Sequence, residues 1–261
     1  MTRKPQPEQN QAPVVQRIRI RYAKRGPMRF TSHRDFARAF ERAIHRANIP
    51  IAYSQGFTPH PKVSYASAAP TGAASEAEYL EIGLRSAVEP AALVHDLDAA
   101  LSPGLDVLDA VVAGPGSLAD RIDASHWRLE LPGVPDSDAR RAVTGFLDAA
   151  EVPVQRLTKQ GIRTLDARAP VVRLAVVETT LDVPSEVGGV PCAILDLVVR
   201  QVTPAVRPDD VLSGLRVVAD LEPSVPPRAT RLAQGALTAR GEIVDPLDAD
   251  RGVAVTGTSS P

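Results

Sequence analysis

A chain of 261 residues with 44% hydrophobic and 23% charged side chains has the composition of an ordinary folded protein, long enough for one large domain or two of about 100 residues. Its lone cysteine, Cys192, excludes an internal disulfide framework and any cysteine-held cluster. With no apolar run near 18 residues and no charged-then-apolar leader, the chain is expected to be cytoplasmic and free of membrane contact. The net charge of −1 conceals an asymmetry: residues 15–62 hold eleven Lys or Arg and two acids, a balance of +9 that leaves −10 elsewhere. That region is expected to attract anions.

Residues 1–13, rich in Pro and Gln without periodicity, read as a disordered segment. "RIRIRY" (17–22) then alternates strictly, with Ile18, Ile20 and Tyr22 on one face of a strand and Arg17, Arg19 and Arg21 on the other. Thr31 or Ser32 can cap a helix, Ser32 followed by Asp35 resembles a capping box, and Phe36, Phe40, Ile44 and Ala47 form the apolar stripe of that helix. Pro50 ends that helix. The Gly/Pro-punctuated "SQGFTPHP" leads into a strand near 62–67, followed by "EYLEIGL" (78–84), a helix over 88–101 and a strand over 104–112. The order is β-α-β-β-α-β, the ferredoxin-like unit.

A similar order follows. After a linker at 113–124, residues 126–133 read as a strand with Trp127, Leu129 and Leu131 inward, and 136–150 as a helix burying Val143, Phe146 and Leu147. Strands near 152–158, 171–178 and 193–201, a helix at 208–217 and a strand near 229–237 complete it, with a hairpin loop at 179–192. The tail from 239 to 261 reads as flexible. The predicted fold class is therefore α+β: two tandem ferredoxin-like units, 14–112 and 125–238, between disordered termini.

The chemistry concentrates in the first unit. If its helices cover one sheet face, Arg17, Arg19 and Arg21 project onto the open face, while Arg34, Arg38, Arg42 and Arg46 follow the solvent side of the first helix. Like charges at i,i+4 cost about 0.2–0.5 kcal/mol per pair, a cost offset where phosphates receive them. With Lys62 they form the predicted anion or RNA site; the plainer reading is a solvated face salt-bridged to Glu81. Only 4% of residues are aromatic, so backbone and shape recognition is expected over base reading. Tyr53, Phe57 and Tyr65 offer limited stacking, with core packing the plainer reading for Tyr65 and Phe57.

Ser54, Gln55, Gly56, Phe57 and His60 form a stiff loop suited to a ligand or to a plain connection. His33, in the first helical turn, is a candidate general base toward a ribose hydroxyl with His60 as acid. Alternatively His33, Asp35 and His60, or Glu78, hold a metal, or the two histidines simply fix the turn. A second basic hairpin, "TKQGIRTLDAR" (158–168), brings Lys159, Arg163 and Arg168 together, and His95, Asp96 and Asp98 read as solvated surface.

The motifs F-x-S-H-x-D, RA-x-x-RA, YSQGF-x-PHP and S-x-x-EY, as they stand in "MRFTSHRDFARAFERAIHRANIPIAYSQGFTPHPKVSYA" and "PTGAASEAEYLEIGL", closely resemble the DUF2344 family, also called radical SAM-associated proteins. The resemblance spans roughly 15–237, with "TLDAR", "VRPDDVL" and "RLAQGAL" fitting in the second half. It implies a partner class, a separate radical SAM enzyme, and no particular reaction. Lacking C-x-x-x-C-x-x-C, this polypeptide is not itself the radical enzyme. The expected function is an accessory protein that binds RNA or another anionic substrate and presents it to a partner, with no cofactor of its own. The rivals are an endoribonuclease using His33 and a pure protein–protein adaptor.

Overall fold

The computed structural model describes residues 13–55, 57–159, 161–178, 186–187 and 190–251. The chain is mixed α+β, with four α-helices among these residues and mainly antiparallel strand pairs. None of these helices is long and apolar enough to cross a membrane. The described residues form two compact units, one within 13–71, 78–119 and 247–251, the other within 72–77 and 120–246.

The first unit contains β1 (Gln16–Lys24), α1 (His33–Arg46), β2 (Val63–Ala66), most of β3 (Ala74–Leu84), α2 (Pro90–Ala100) and β4 (Leu105–Val112). Its strands run in the order β4-β1-β3-β2. The alternation of "RIRIRY" does what alternation must: Ile18, Ile20 and Tyr22 are buried against Phe36, Phe40, Ala43 and Ile44 of α1, with Leu93 and Leu97 of α2 in the same core. Tyr22 and Phe36 stack at 4.5 Å with rings 3° from parallel. Each such side chain contributes about 1.5–3 kcal/mol when fully buried. Ser32 starts α1 as the sequence predicts: its hydroxyl oxygen accepts from the Asp35 amide at 3.2 Å and the hydroxyl donates to the Asp35 carboxylate at 2.6 Å.

The other face of β1 differs from expectation. Arg19 does not project onto an open face; its side chain is 1% exposed. It donates to Glu81 at 2.9 Å, to Asp250 at 2.8 Å and to the carbonyls of Gly114 and Gly116. Glu81 is the salt-bridge partner expected from the sequence, but the predicted linker and the predicted flexible tail supply the other three. Residues 113–116 and 248–251 close over β1, the Gly114 amide donates to Asp250, and Arg251 joins Asp109 and Asp248. Leu247 and Asp250 are buried. The tail is short and lacks periodicity, so nothing local in its sequence distinguishes an anchored segment from a loose one.

The second unit holds β5 (Ala124–Pro132), α3 (Asp136–Asp148), the ribbon β6 (Pro153–Thr158) and β7 (Gly161–Asp166), β8 (Val171–Val176), β9 (Glu186–Val187), β10 (Val190–Arg200), α4 (Pro208–Ala219), β11 (Arg228–Leu237) and β12 (Ile243–Val244). Its main strands run β11-β5-β10-β8, and residues 74–75 of β3, which the sequence reads as loop, pair parallel with Thr230 and Arg231. Trp127, Leu129 and Leu131 are buried as expected, as are Val143 and Phe146, whereas Leu147 is only half-buried. β12, inside the predicted tail, pairs with β11 and approaches it so closely that a Cβ on Gly235 would sit 1.9 Å from the Val244 carbonyl oxygen. Only a glycine admits that approach. Of the predicted loop at 179–192, residues 186–187 and 190–191 form a hairpin pairing; 179–185 and 188–189, like 1–12 and 252–261, lie outside the described residues.

Candidate functional site

A helix turns about 100° per residue, so Arg34, Arg38, Arg42 and His45 fall within an arc of about 80°, opposite the buried Phe36, Phe40 and Ala43. Arg34, Arg38 and Arg42 are exposed. Arg38 lies 4.0 Å from Asp35, and Arg34 and Arg42 have no side-chain partner among the described residues. This stripe is the solvent-facing basic surface of α1. Arg46, one turn on, does not belong to it. Its guanidinium donates at 2.8 Å to the Ala100 carbonyl at the end of α2, where a cation also meets the negative end of the helix.

The other predicted contacts divide. Arg17 is exposed and paired with Glu81 at 2.9 Å. Arg19 is enclosed and engaged on every side, which removes it from any anion-binding role. Arg21 is half-buried and has partners of its own. Lys62 is exposed at the foot of the loop.

Tyr53 and Pro61 pair across the base of the "SQGFTPHP" loop, and the Tyr53 hydroxyl meets the His45 imidazole at 3.3 Å. That contact ties the loop to the arginine stripe near the C-terminal end of α1. Inside the loop, the Ser54 amide donates to the His60 carbonyl at 2.8 Å and the His60 amide donates to the Ser54 hydroxyl at 3.0 Å. Ser54 and His60 therefore hold the turn through the His60 backbone and the amide and hydroxyl of Ser54. Gln55 is exposed; Gly56 lies outside the described residues. Phe57, for which core packing was the plainer expectation, is 85% exposed.

His33 packs edge-on to Tyr65 at 4.7 Å, joining the start of α1 to β2. Burial, and secondarily the Glu41 carboxylate, push the Tyr65 phenol up to about 12, so it is a neutral packing group at ordinary pH. Among the described residues neither the His33 nor the His60 ring has a hydrogen-bonded carboxylate to orient it as base or acid. Nor do any three His, Cys, Asp or Glu side chains gather there as a metal set, so His33, Asp35 and His60 do not converge. The Asp35 carboxylate is occupied by the helix cap, and Glu78, the other metal candidate, is buried and accepts from the Ala69 amide at 3.1 Å.

Phe30 escapes a search of the sequence. It ends a 3-10 turn over Gly26–Phe30, two residues before the Ser32 cap. It is 60% exposed, with the Arg29 guanidinium 4.7 Å from its ring centre. No periodicity marks it, because its neighbours belong to neither strand nor helix.

In the second unit the basic hairpin forms as predicted, with Lys159 exposed at its tip and Arg163 exposed on its second strand opposite Arg156. Arg168 instead donates to the carbonyls of Leu147 and Val171. Asp98, in the first unit and predicted as solvated, accepts from the Val107 amide at 2.7 Å. On the sheet, Asp196 receives His126 at 2.7 Å and Arg173 at 2.6 Å, a cross-strand cluster the sequence reading did not pick out. Burial alone would raise the Asp196 carboxyl, but those two hydrogen bonds together hold it below its ordinary value. Cys192 is buried, and burial with the nearby Glu130 pushes its thiol up, away from reactivity.

A family model described as "Uncharacterized protein conserved in bacteria (DUF2344)" matches residues 17–208. No curated protein matches. Among solved structures, the first two RRM domains of yeast poly(U) binding protein are similar at 10% identity, over 82% of this chain and 98% of that one, with a TM-score of 0.18. A superposition that slight carries no argument about this chain.

Proposed function

Since the chain belongs to the DUF2344 family of bacterial proteins, we propose that it is an accessory protein that holds RNA, or another polyanion, along α1 and presents it to a separate enzyme. Its fold is read as two tandem ferredoxin-like units, supported by the shared arrangement in which the first strand lies between the last strand and a central partner, β4-β1-β3-β2 in one unit and β11-β5-β10-β8 in the other. The single observation that carries the functional reading is the stripe of Arg34, Arg38 and Arg42, which faces solvent with one carboxylate, Asp35, in range of one of the three. Three like charges with a single carboxylate in range are unfavourable to the free protein and favourable to a phosphate chain, which gives up counterions to each.

The partner enzyme is proposed to be a radical SAM protein, on the motif resemblance alone. The single cysteine supports a helper's role for this chain, because these 261 residues cannot themselves hold a three-cysteine cluster. The setting is proposed to be the cytoplasm.

The test is binding of bulk bacterial tRNA and rRNA fragments across a salt series, beside a variant carrying Arg38→Glu and Arg42→Glu. Affinity that falls log-linearly with salt, and a variant that binds weakly with a shallower slope, are expected; each lost contact removes about 0.7–0.9 from the slope. Absence of binding by the wild-type chain at low salt overturns the reading and leaves the stripe as a protein-facing surface.

A further inference from the structure

The chain has five phenylalanines. Phe36, Phe40 and Phe146 are buried in cores. The other two, Phe30 and Phe57, are 60% and 85% exposed, and both lie in the strongly basic region. Isolated exposed apolar side chains are common. These two differ in their placement. Phe30 stands just ahead of the N-terminal end of α1, and Phe57 stands on the loop whose base reaches His45 near the C-terminal end. At 1.5 Å per residue the fourteen residues of α1 span about 20 Å. The arginine stripe thus has one exposed aromatic residue just ahead of its first end and another on the loop whose base is tied to its second.

The Phe30 ring is backed by a cation, and the loop of Phe57 is fixed at its base. Arg29 covers one face of Phe30 at 4.7 Å and leaves the ring 60% exposed. The loop of Phe57 is pinned at its neck by the Tyr53–Pro61 pairing and by the two hydrogen bonds between Ser54 and His60. A phosphate chain alone needs no flat apolar surface, and a duplex hides the faces of its bases. Rings beside a cationic track match a strand whose bases are unpaired, since stacking on aromatic side chains is how such strands gain affinity without sequence reading.

We propose that the ligand of this surface is a single-stranded nucleic acid, its phosphates on Arg34, Arg38 and Arg42 and its bases stacked on Phe30 and Phe57. The proposal rests on the polyanion reading above and narrows it. The intervening span accommodates about six nucleotides at a stacked rise of 3.4 Å.

The experiment uses the full chain with fluorescent 12-nucleotide oligouridine, the deoxy oligomer of matching sequence, and an RNA duplex of equal length. The variants are Phe57→Ala, Phe30→Ala, Phe57→Trp, and the Arg38→Glu/Arg42→Glu pair. Both single strands should bind more tightly than the duplex, and a preference for the ribose strand would add a contact to the 2′-hydroxyl. Each Phe→Ala change should weaken single-strand binding by about 5- to 150-fold, which is 1–3 kcal/mol per stacked base, and leave the salt slope unchanged. Phe57→Trp should retain the affinity. If the arginine variant loses binding while both alanine variants bind like wild type, or if the duplex binds as well as the single strand, this inference fails and the polyanion reading stands. If the wild-type chain binds no oligomer at low salt, both fail.

Discussion

Replacing Asp250 with alanine leaves Arg19 enclosed at 1% exposure with one of its two carboxylates gone. Breaking a buried pair by deleting one partner costs about 3–5 kcal/mol, because the remaining charge stays out of water uncompensated. Arg19 keeps Glu81 at 2.9 Å and the Gly114 and Gly116 carbonyls, so the cost falls toward the lower end, about 3 kcal/mol. The Gly114 amide, which donates to Asp250 at 3.0 Å, loses its acceptor as well. Urea unfolding of wild type, Asp250→Ala, Arg19→Met and the double variant measures this. Each single change should lower the midpoint markedly, and the double variant should be less destabilised than the sum of the two, with an interaction energy of about 1–3 kcal/mol. Strictly additive singles, or an Asp250→Ala protein within about 0.5 kcal/mol of wild type, would refute the claim that the tail is fastened to β1 through this pair.

Gly235→Ala should destabilise by at least about 1–3 kcal/mol, since its methyl group cannot fit 1.9 Å from the Val244 oxygen without moving β12; thermal unfolding followed by circular dichroism reports it. The Tyr65 phenol, raised to about 12 in the folded protein against about 10 unfolded, stabilises fully below pH 10, and that contribution is lost as pH climbs from 10 through 12. Ultraviolet titration should show a late phenolate step that Tyr65→Phe abolishes, and a step near 10 in the folded wild type would contradict the burial argument. Asp196 is shifted the opposite way: its folded pKa lies below the unfolded value of about 3.9, so its contribution is present above that pH and disappears as pH falls below it. Asp196→Asn should therefore narrow the stability difference between pH 7 and pH 3; an unchanged acid profile would show that the cross-strand cluster adds nothing.

Periodicity made most elements of this fold readable. "RIRIRY" predicted which face of β1 is apolar, and the capping residues Thr31 and Ser32, the latter paired with Asp35, predicted the start of α1 to within one residue. Alternation cannot say what covers the opposite face, which is why Arg19 looked like a surface cation. Its partners Gly114, Gly116 and Asp250 are 95 to 231 residues away, in segments too short and polar to carry a pattern. The four-residue spacing of the arginines was equally plain, but Arg46 turns out of the stripe to the end of α2, a neighbour that only the tertiary fold supplies. Phe57 shows the converse failure. Hydrophobicity argues for burial on average, and nothing local reveals that a loop has carried a ring into solvent.

The joining of β1 to residue 250 also orders events in time. A ribosome adds about 5–20 residues per second. The 231 positions between Arg19 and Asp250 therefore take about 12–46 seconds to emerge. During that interval β1 can pair with β3 and β4 and receive α1, but the guanidinium of Arg19 has no aspartate to meet. Residues 72–77 and 120–246 form their own compact unit and are complete before the last partner of the earlier-made strand has been synthesised. The half of the protein that is translated first is thus the half that finishes last.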